Sequence, residues 1–338
     1  MRRVTIKDIA KEANVSYATV SRALSGSPEI SEKTRAHVLE VSKRMGYTKN
    51  YIAHAMVKKR TGLIGLIVAS VKNPFMSELA FHIEQHAMLK GYNLMLCNSS
   101  HDTERERQVF EVLISRQVDG IIIVPTSAET HRHLAPYLET TPTVFVGENL
   151  RDAAVSYVAI DNYRGTRIGM EYLYGLGHRD ILYFGRRKGS VTHQLRANGY
   201  IDACEEAGIE PMICHSSYTS SSIQNGYQLA KTLLAKPIDY TAVFAATDSM
   251  ALGFMKATSE LKIRIPKDLS LMGFDNIQYA ELPRIDLTTI EQPQQAIAAT
   301  AVDTLLERIN NPQAGYAHHV LSPKLIERGT CKQLSDTE

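Results

Sequence analysis

The 338-residue sequence contains no apolar stretch long enough to cross a membrane. Its start, Met1-Arg2-Arg3, runs into an amphipathic segment where an export signal would need an unbroken apolar run, so the chain is expected in the cytoplasm. Cys97, Cys204, Cys214 and Cys331 are widely scattered and form no C-x-x-C pair, which fits reduced, mostly structural thiols and argues against a disulfide framework or a zinc site. Catalytic signatures are also missing. There is no G-x-G-x-x-G after the first strand, no G-x-x-x-x-G-K-[ST], no G-x-S-x-G and no H-E-x-x-H. His82 and His86 stand four apart, a metal-compatible helical spacing, but no third ligand accompanies them, and His131 with His133 or His318 with His319 are weaker candidates. The expectation is a protein with no catalytic residues, no metal and no cofactor.

The charge is unevenly spread. Residues 1 to 60 hold 13 Lys/Arg against 5 Asp/Glu, whereas the remainder holds 25 against 31. The net +2 of the whole chain therefore conceals a basic head on a mildly acidic body, the distribution expected of a polyanion-binding module attached to a globular domain.

Two short helices with a tight turn account for the first 25 residues. Thr5 can cap a helix in which Ile6, Ile9, Ala10 and Ala13 recur at helical spacing, and Asp8 completes a capping-box-like start. Asn14 supplies the turn. Ser16 caps a second helix with Val20, Ala23 and Leu24 inward, leaving Tyr17, Ala18, Ser21 and Arg22 outward. An exposed arginine there can grip guanine with two hydrogen bonds. A third helix, capped by Ser31, carries Val38, Val41 and Met45 on one face and stops at Gly46. The stretch from Asn50 to Lys58 has helical composition but is too short to be stable alone, so it reads as a helix formed only on binding.

From Leu63 onward, Ile/Val-rich runs alternate with helical stretches, at Leu63 to Ala69, Leu94 to Cys97, Gly120 to Val124 and Val144 to Val146. A second series follows at Asp180 to Phe184, Met212 to Cys214, Ala242 to Ala246 and Leu269 to Phe274, with helices near 163–177, 195–208, 222–236 and 249–262 between them. Buried parallel strands read this way. The fold class is α/β: an all-α helix-turn-helix headpiece followed by two doubly wound parallel-sheet lobes of periplasmic-binding-protein type, whose ligand crevice lies outside the carboxyl ends of the strands.

The chain resembles the lactose-repressor/galactose-repressor family of bacterial transcription regulators over nearly its whole length. The resemblance rests on Thr-Ile-Lys-Asp-Ile-Ala and Val-Ser-Tyr-Ala-Thr-Val-Ser-Arg in the head, on Gly46-Tyr47, and on Val118-Asp119-Gly120-Ile121-Ile122, Ile160-Asp161-Asn162, Gly177-His178, Thr247-Asp248-Ser249-Met250-Ala251-Leu252-Gly253 and Gly273-Phe274-Asp275-Asn276. It implies a DNA-binding domain at 1–48, a hinge helix and linker at 49–61, and an effector-binding and dimerisation domain at 62–338. The first lobe of that domain would span about 62–160 plus 293–322 and the second about 161–292 plus 323–330.

By the same resemblance, Tyr17, Ala18 and Arg22 read bases in the major groove, while Thr5, Ser16, Thr19 and Ser21 contact phosphates or cap helices; Ser16 and Thr19 can equally be purely structural. Asn50, Ala53, His54 and Met56 belong to the hinge, Met56 replacing the leucine that enters the minor groove in relatives, and Lys49 stands where many relatives carry proline. The implied partners are a palindromic operator, a small-molecule effector and a second copy of the chain. The tail from Lys332 to Glu338 lacks the leucine heptad through which some relatives form tetramers, so a homodimer is the default.

The effector site is expected at Asn73, Phe75 and Met76 from the first lobe and Arg196, Tyr218, Asp248 and Asp275 from the second. Phe75 can instead be core, and Asp248 can simply cap its helix. Arg186 and Arg187, with Lys188, follow a strand expected to end at Gly185 and favour an anionic ligand; the alternative is a charged exposed loop. A sugar, sugar acid or sugar phosphate is the expected effector. The rival classes are a periplasmic-type sugar-binding protein and an α/β enzyme, disfavoured by the basic head and by the missing motifs.

Overall fold

The structure is a computed structural model that describes residues 4–25, 27–47, 60–148, 150, 154–187 and 189–334. It divides into two compact units, Met1–Thr61 and Gly62–Glu338. Helices α1 (Ile6–Glu12), α2 (Tyr17–Leu24) and α3 (Glu32–Arg44) make up the described part of the first unit. They enclose a small core of Ile9, Ala13, Val20, Ala23, Val38 and Val41, with Ile6, Ala10, Leu24 and Met45 packed at its margin. The caps supply what each helix start lacks. Thr5 and Asp8 form a reciprocal capping box, and Ser16 and Ser31 accept the backbone N–H groups of Thr19 and Thr34. Asn14 turns the chain between α1 and α2 with φ +51°, a left-handed conformation that asparagine tolerates.

The second unit contains two six-stranded sheets. Strands β1 (Leu63–Val68), β2 (Asn93–Asn98), β3 (Gly120–Ile123), β4 (Thr143–Val146), β5 (Ser156–Ile160) and β11 (His318–Leu321) form the first, in the order β11-β5-β4-β3-β1-β2, with every pairing parallel. The second holds β6 (Ile181–Arg187), β7 (Met212–Ser216), β8 (Ala242–Ala245), β9 (Ser270–Asp275), β10 (Thr288–Glu291) and β12 (Lys324–Ile326), in the order β12-β10-β9-β8-β6-β7. Only its edge strand β12 runs antiparallel. The chain therefore leaves the first sheet after β5, returns to it through the helix Gln294–Asn310, and leaves again after β11.

Each sheet is covered on both faces, which is why most of its central strands are largely apolar rather than alternating, β10 with Thr288 and Thr289 being the exception. Helices Pro74–Leu89 and Gln294–Asn310 bury one face of the first sheet, and Thr103–Ser115 the other. In the second sheet the pairs are Ile223–Leu234 with Asp248–Glu260, and Asn162–Gly175 with Val191–Glu206. Contact between Ile223–Leu234 and Asp248–Glu260 is backbone to backbone, since a Cβ on Gly253 would stand 2.3 Å from the Ile223 carbonyl oxygen.

One expected boundary is corrected. Strand β6 does not end at Gly185 but continues to Arg187, with a register shift between Phe184 and Arg186. Gly185 takes φ +91° at this bulge, a conformation that glycine adopts without a Cβ penalty. Arg186 and Arg187 are therefore strand residues paired to His215 and Ser216, not a free loop.

Candidate functional site

A cavity of about 120 Å³ opens between the two sheets of the second unit. Its walls come from the segments that follow the strands: Ala69 and Asn73 after β1, Thr126 after β3, Glu148 after β4, Arg187 at the end of β6, Ser221 after β7, Thr247 after β8, Asp275 at the end of β9 and Gln292 after β10. The carboxyl ends of both sheets thus converge on one space, as open α/β sheets dispose their ligand sites.

Arg196 and Asp275 form the charged base of the cavity. Arg196, only 2% exposed, donates from Nε to Asn162 Oδ1 at 2.8 Å and from Nη1 to the Ala246 carbonyl at 2.6 Å and Asp275 Oδ1 at 3.2 Å. Its guanidinium carbon lies 3.6 Å from the centroid of the Phe274 ring, a cation–π contact on a desolvated face. Gln292 Nε2 donates to the same Asp275 oxygen at 2.7 Å. Burial pushes the Asp275 carboxyl up, against the pull of Arg196 and Gln292. Its backbone holds φ +130°, outside the ordinary range for a residue with a Cβ, a strain that fixes where the carboxylate stands. Close helix packing brings Asn162 within reach, for a Cβ at Gly165 would lie 2.8 Å from Phe274 Cζ and one at Gly199 2.6 Å from the Tyr163 carbonyl oxygen.

Asn73, Phe75 and Met76 form part of the opposing wall. Asn73 caps the helix Pro74–Leu89 by accepting the Phe75 N–H at 3.0 Å, and Phe75 is both cavity wall and core residue. Asp248 and Arg186 do not line the cavity. Both Asp248 oxygens are taken, one by the Thr289 hydroxyl at 2.5 Å and the other by the Ile277 N–H at 2.9 Å. Its role is to tie helix Asp248–Glu260 to β10 and to the segment after β9. The helix cap is Thr247, one residue earlier than expected. Arg186 turns to the Gln194 side chain at 2.9 Å. Tyr218 lines a second cavity of about 330 Å³, which shares His101, Thr126 and Arg187 with the first.

Several polar groups at the cavity carried no motif. Glu148 is 6% exposed with one carboxyl oxygen unpartnered among the described residues; burial pushes it up to about 7, the Glu106 charge adding to that while Arg187 opposes. His193, 5% exposed, bonds Ser221 through Nε2 at 3.1 Å while its Nδ1 has no partner among the described residues. Burial, with Arg187 and Arg196 nearby, drives its pKa well below the usual histidine value, so it is neutral. The two lobes are joined at the rim by Thr192 Oγ1 donating to the Gly147 carbonyl at 3.2 Å and by the Gln278 N–H donating to Glu78 at 3.0 Å.

In the first unit, α2 presents Tyr17, Ala18 and Arg22 to solvent on one side, Tyr17 being 55% exposed, with Ser21 half-buried beside them. Ser16 and Thr19 are joined to each other, hydroxyl to hydroxyl at 2.8 Å. Arg22 lies 3.4 Å from Glu29, both well exposed, a pair too solvated to hold the arginine in place. Thr5 is occupied by the capping box through contacts of 2.7 and 2.8 Å to Asp8. Asn50, Ala53, His54, Met56 and Lys188 lie outside the described residues.

Residues 5–50 match the model of bacterial regulatory proteins of the lacI family, and residues 170–331 match a periplasmic binding protein-like domain. Catabolite control protein A of Priestia megaterium is 32% identical over 312 residues, covering 91% of this chain and 93% of the relative. The chain belongs to the lacI family. Its whole architecture matches as well: the lac repressor dimer bound to operator and the anti-inducer ONPF superposes with a TM-score of 0.87 at 27% identity, over 98% of this chain and 100% of that one. The CelR–cellobiose complex, also a transcriptional regulator, gives 0.71 at 26% identity over 97% and 100%. As a member of the lacI family the protein is a DNA-binding, ligand-responsive transcription regulator and not an enzyme. No helix among the described residues is long and apolar enough to cross a membrane.

Proposed function

We propose that this lacI-family protein is a cytoplasmic repressor that binds a palindromic operator as a homodimer and whose operator affinity is set by a sugar-like effector in the cavity between its lobes. The observation that carries the effector assignment is the buried Arg196–Asp275 pair at the base of that cavity, held in place by Asn162, Gln292 and the Phe274 ring. A fixed guanidinium and carboxylate offer a donor and an acceptor to a ring bearing adjacent hydroxyls, and Asn73, His193 and Glu148 supply further polar partners around it. The cellobiose held by CelR, a structural relative, supports the sugar class.

At the DNA, Arg22 and Tyr17 select the half-site, Ala18 offers a methyl to thymine, and Ser16, Thr19 and Ser21 serve the backbone contacts and the cap. One such helix pair reads only a half-site, hence the dimer and the palindrome. The resemblance to the family assigns Asn50, Ala53, His54 and Met56, which lie outside the described residues, to hinge contacts with the DNA, Met56 at the position that enters the minor groove. Effector binding changes the angle between the lobes, and with it the separation of the two hinges.

A melting-temperature screen of the full-length protein against sugars, sugar acids and sugar phosphates tests the assignment, since a ligand that binds only the folded state must stabilise it. At least one class should raise the melting temperature, and Asp275→Asn should abolish the shift. A shift that survives Asp275→Asn unchanged would place the effector elsewhere.

A further inference from the structure

The inner cavity does not end at its own wall. Arg187, His101 and Thr126 line it on one side and the second cavity on the other, so the two spaces meet at the Arg187 guanidinium. Arg187 is half-buried, donates to the Thr219 carbonyl, and makes no ion pair within 4 Å among the described residues. A partly desolvated guanidinium with a single neutral partner among the described residues is an incomplete site, because charges withdrawn from water are otherwise paired.

The acids that face it do not complete it. Glu106 is committed to Thr126 and Thr130, and Glu148 is beyond ion-pair distance, with burial favouring its neutral form. The bases that face it, His101 and His193, are both held towards neutrality, with the Arg187 charge contributing to each. The rest of the second cavity carries small hydroxyl donors, Ser216, Ser217 and Thr219 with Tyr218, and the backbone of Gly189. Hydroxyls around one unpaired guanidinium suit an oxyanion.

We propose that the effector is bipartite, its polyhydroxyl ring in the inner cavity against Arg196 and Asp275 and a carboxylate or phosphate end in the second cavity, gripped by Arg187. This rests on the inner cavity being the effector site. It narrows the ligand to an acidic or phosphorylated sugar and makes Arg187, not Arg186, the residue that separates it from the neutral parent.

The test uses the full-length protein and paired probes at matched ionic strength: glucose with glucuronate and glucose 6-phosphate, ribose with ribose 5-phosphate, and inorganic phosphate alone. Affinities and melting shifts are measured for the wild type, Arg187→Gln and Arg187→Lys. At least one anionic probe should bind the wild type about tenfold or more tightly than its neutral parent. Arg187→Gln should erase that advantage, weakening the anionic probe by a far larger factor than its neutral parent, and Arg187→Lys should retain part of it. Whether glucuronate or the phosphates respond distinguishes carboxylate from phosphate. Equal binding of neutral and anionic partners, an anion preference that survives Arg187→Gln, or no response to any anion, inorganic phosphate included, would overturn the proposal. A neutral sugar that stabilises the wild type but not Asp275→Asn would leave the inner site standing while removing the anionic end. Ligand-free melting of both Arg187 variants guards against a folding defect.

Discussion

Replacing Arg196 by alanine should cost about 3 to 5 kcal/mol of stability, because it breaks a buried ion pair and leaves a charge behind. The cost has identifiable parts. Among the described residues, Asp275 would keep only Gln292 as a partner for a carboxyl that is 4% exposed, while Asn162 Oδ1 and the Ala246 carbonyl would lose their donors. The guanidinium stacked at 3.6 Å on Phe274 would be replaced by empty space. The penalty should also depend on pH, with a sign that follows from linkage. Arg196 is the main opponent of the burial that raises the Asp275 pKa, so removing it raises that pKa further. A raised folded-state pKa gives stability that is full below the unfolded value near 3.9 and is lost as pH rises through the folded value. Arg196→Ala should therefore lose more stability relative to wild type at pH 8 than at pH 5. Urea denaturation at the two pH values measures this, and Asp275→Asn in the same background should recover part of the loss, with a coupling on the order of 0.5–3 kcal/mol. A penalty below about 1 kcal/mol, or one independent of pH and of Asp275, would refute the reasoning.

Three further predictions concern other parts of the molecule. Glu148→Gln should stabilise the second unit at pH 8 by on the order of 3 kcal/mol, because burial lifts the carboxyl from 4.5 to about 7. The gain should vanish near pH 4, where both states are protonated, and denaturation curves across pH 4–8 would record it. Gly253→Ala should destabilise by about 1 to 3 kcal/mol or more, since the new Cβ would meet backbone at 2.3 and 2.4 Å on the neighbouring helix, which calorimetry can measure. Arg22→Ala should cost about 1 to 3 kcal/mol of specific operator binding and relax preference at one base pair per half-site, as read by competition between cognate and scrambled duplexes.

The helix-turn-helix was legible in the sequence because each of its signals is local: Thr5 with Asp8, Asn14 with its left-handed turn, and Ser16 all act within four residues of where they stand. Strands β1, β3, β4, β6, β8 and β9 were legible because burial on both faces makes them largely apolar runs, whereas β5, just as buried, begins with Ser156-Tyr157 and was not expected. Strand β10 was not, for its Thr288-Thr289 pair reads as polar although both side chains are fully buried, their hydroxyls satisfied by the Arg328 carbonyl and Asp248. Edge strands β11 and β12 are short and only partly buried, so their pattern is weak. At the site, Arg196 and Asp275 stood in recognisable segments, whereas Glu148, His193 and Gln292 are single polar residues gathered only by the fold. Asp248 illustrates the opposite error. An acidic residue just after a strand suggested ligand contact, but its oxygens are consumed by Thr289 and Ile277. Arg186 and Arg187 looked equivalent in sequence, and the bulge at Gly185 gives them different surroundings.

The central claim is that occupancy of the interlobe cavity alters DNA affinity, and operator binding with and without effector tests it most directly. Selection from a random DNA pool supplies the operator, and the compound that most raises the melting temperature supplies the effector. Operator affinity of the wild-type protein should then change by about 5- to 150-fold on adding that compound, and Asp275→Asn should bind the operator with no such change. Equal operator affinity with and without a compound shown to occupy the cavity would contradict the account.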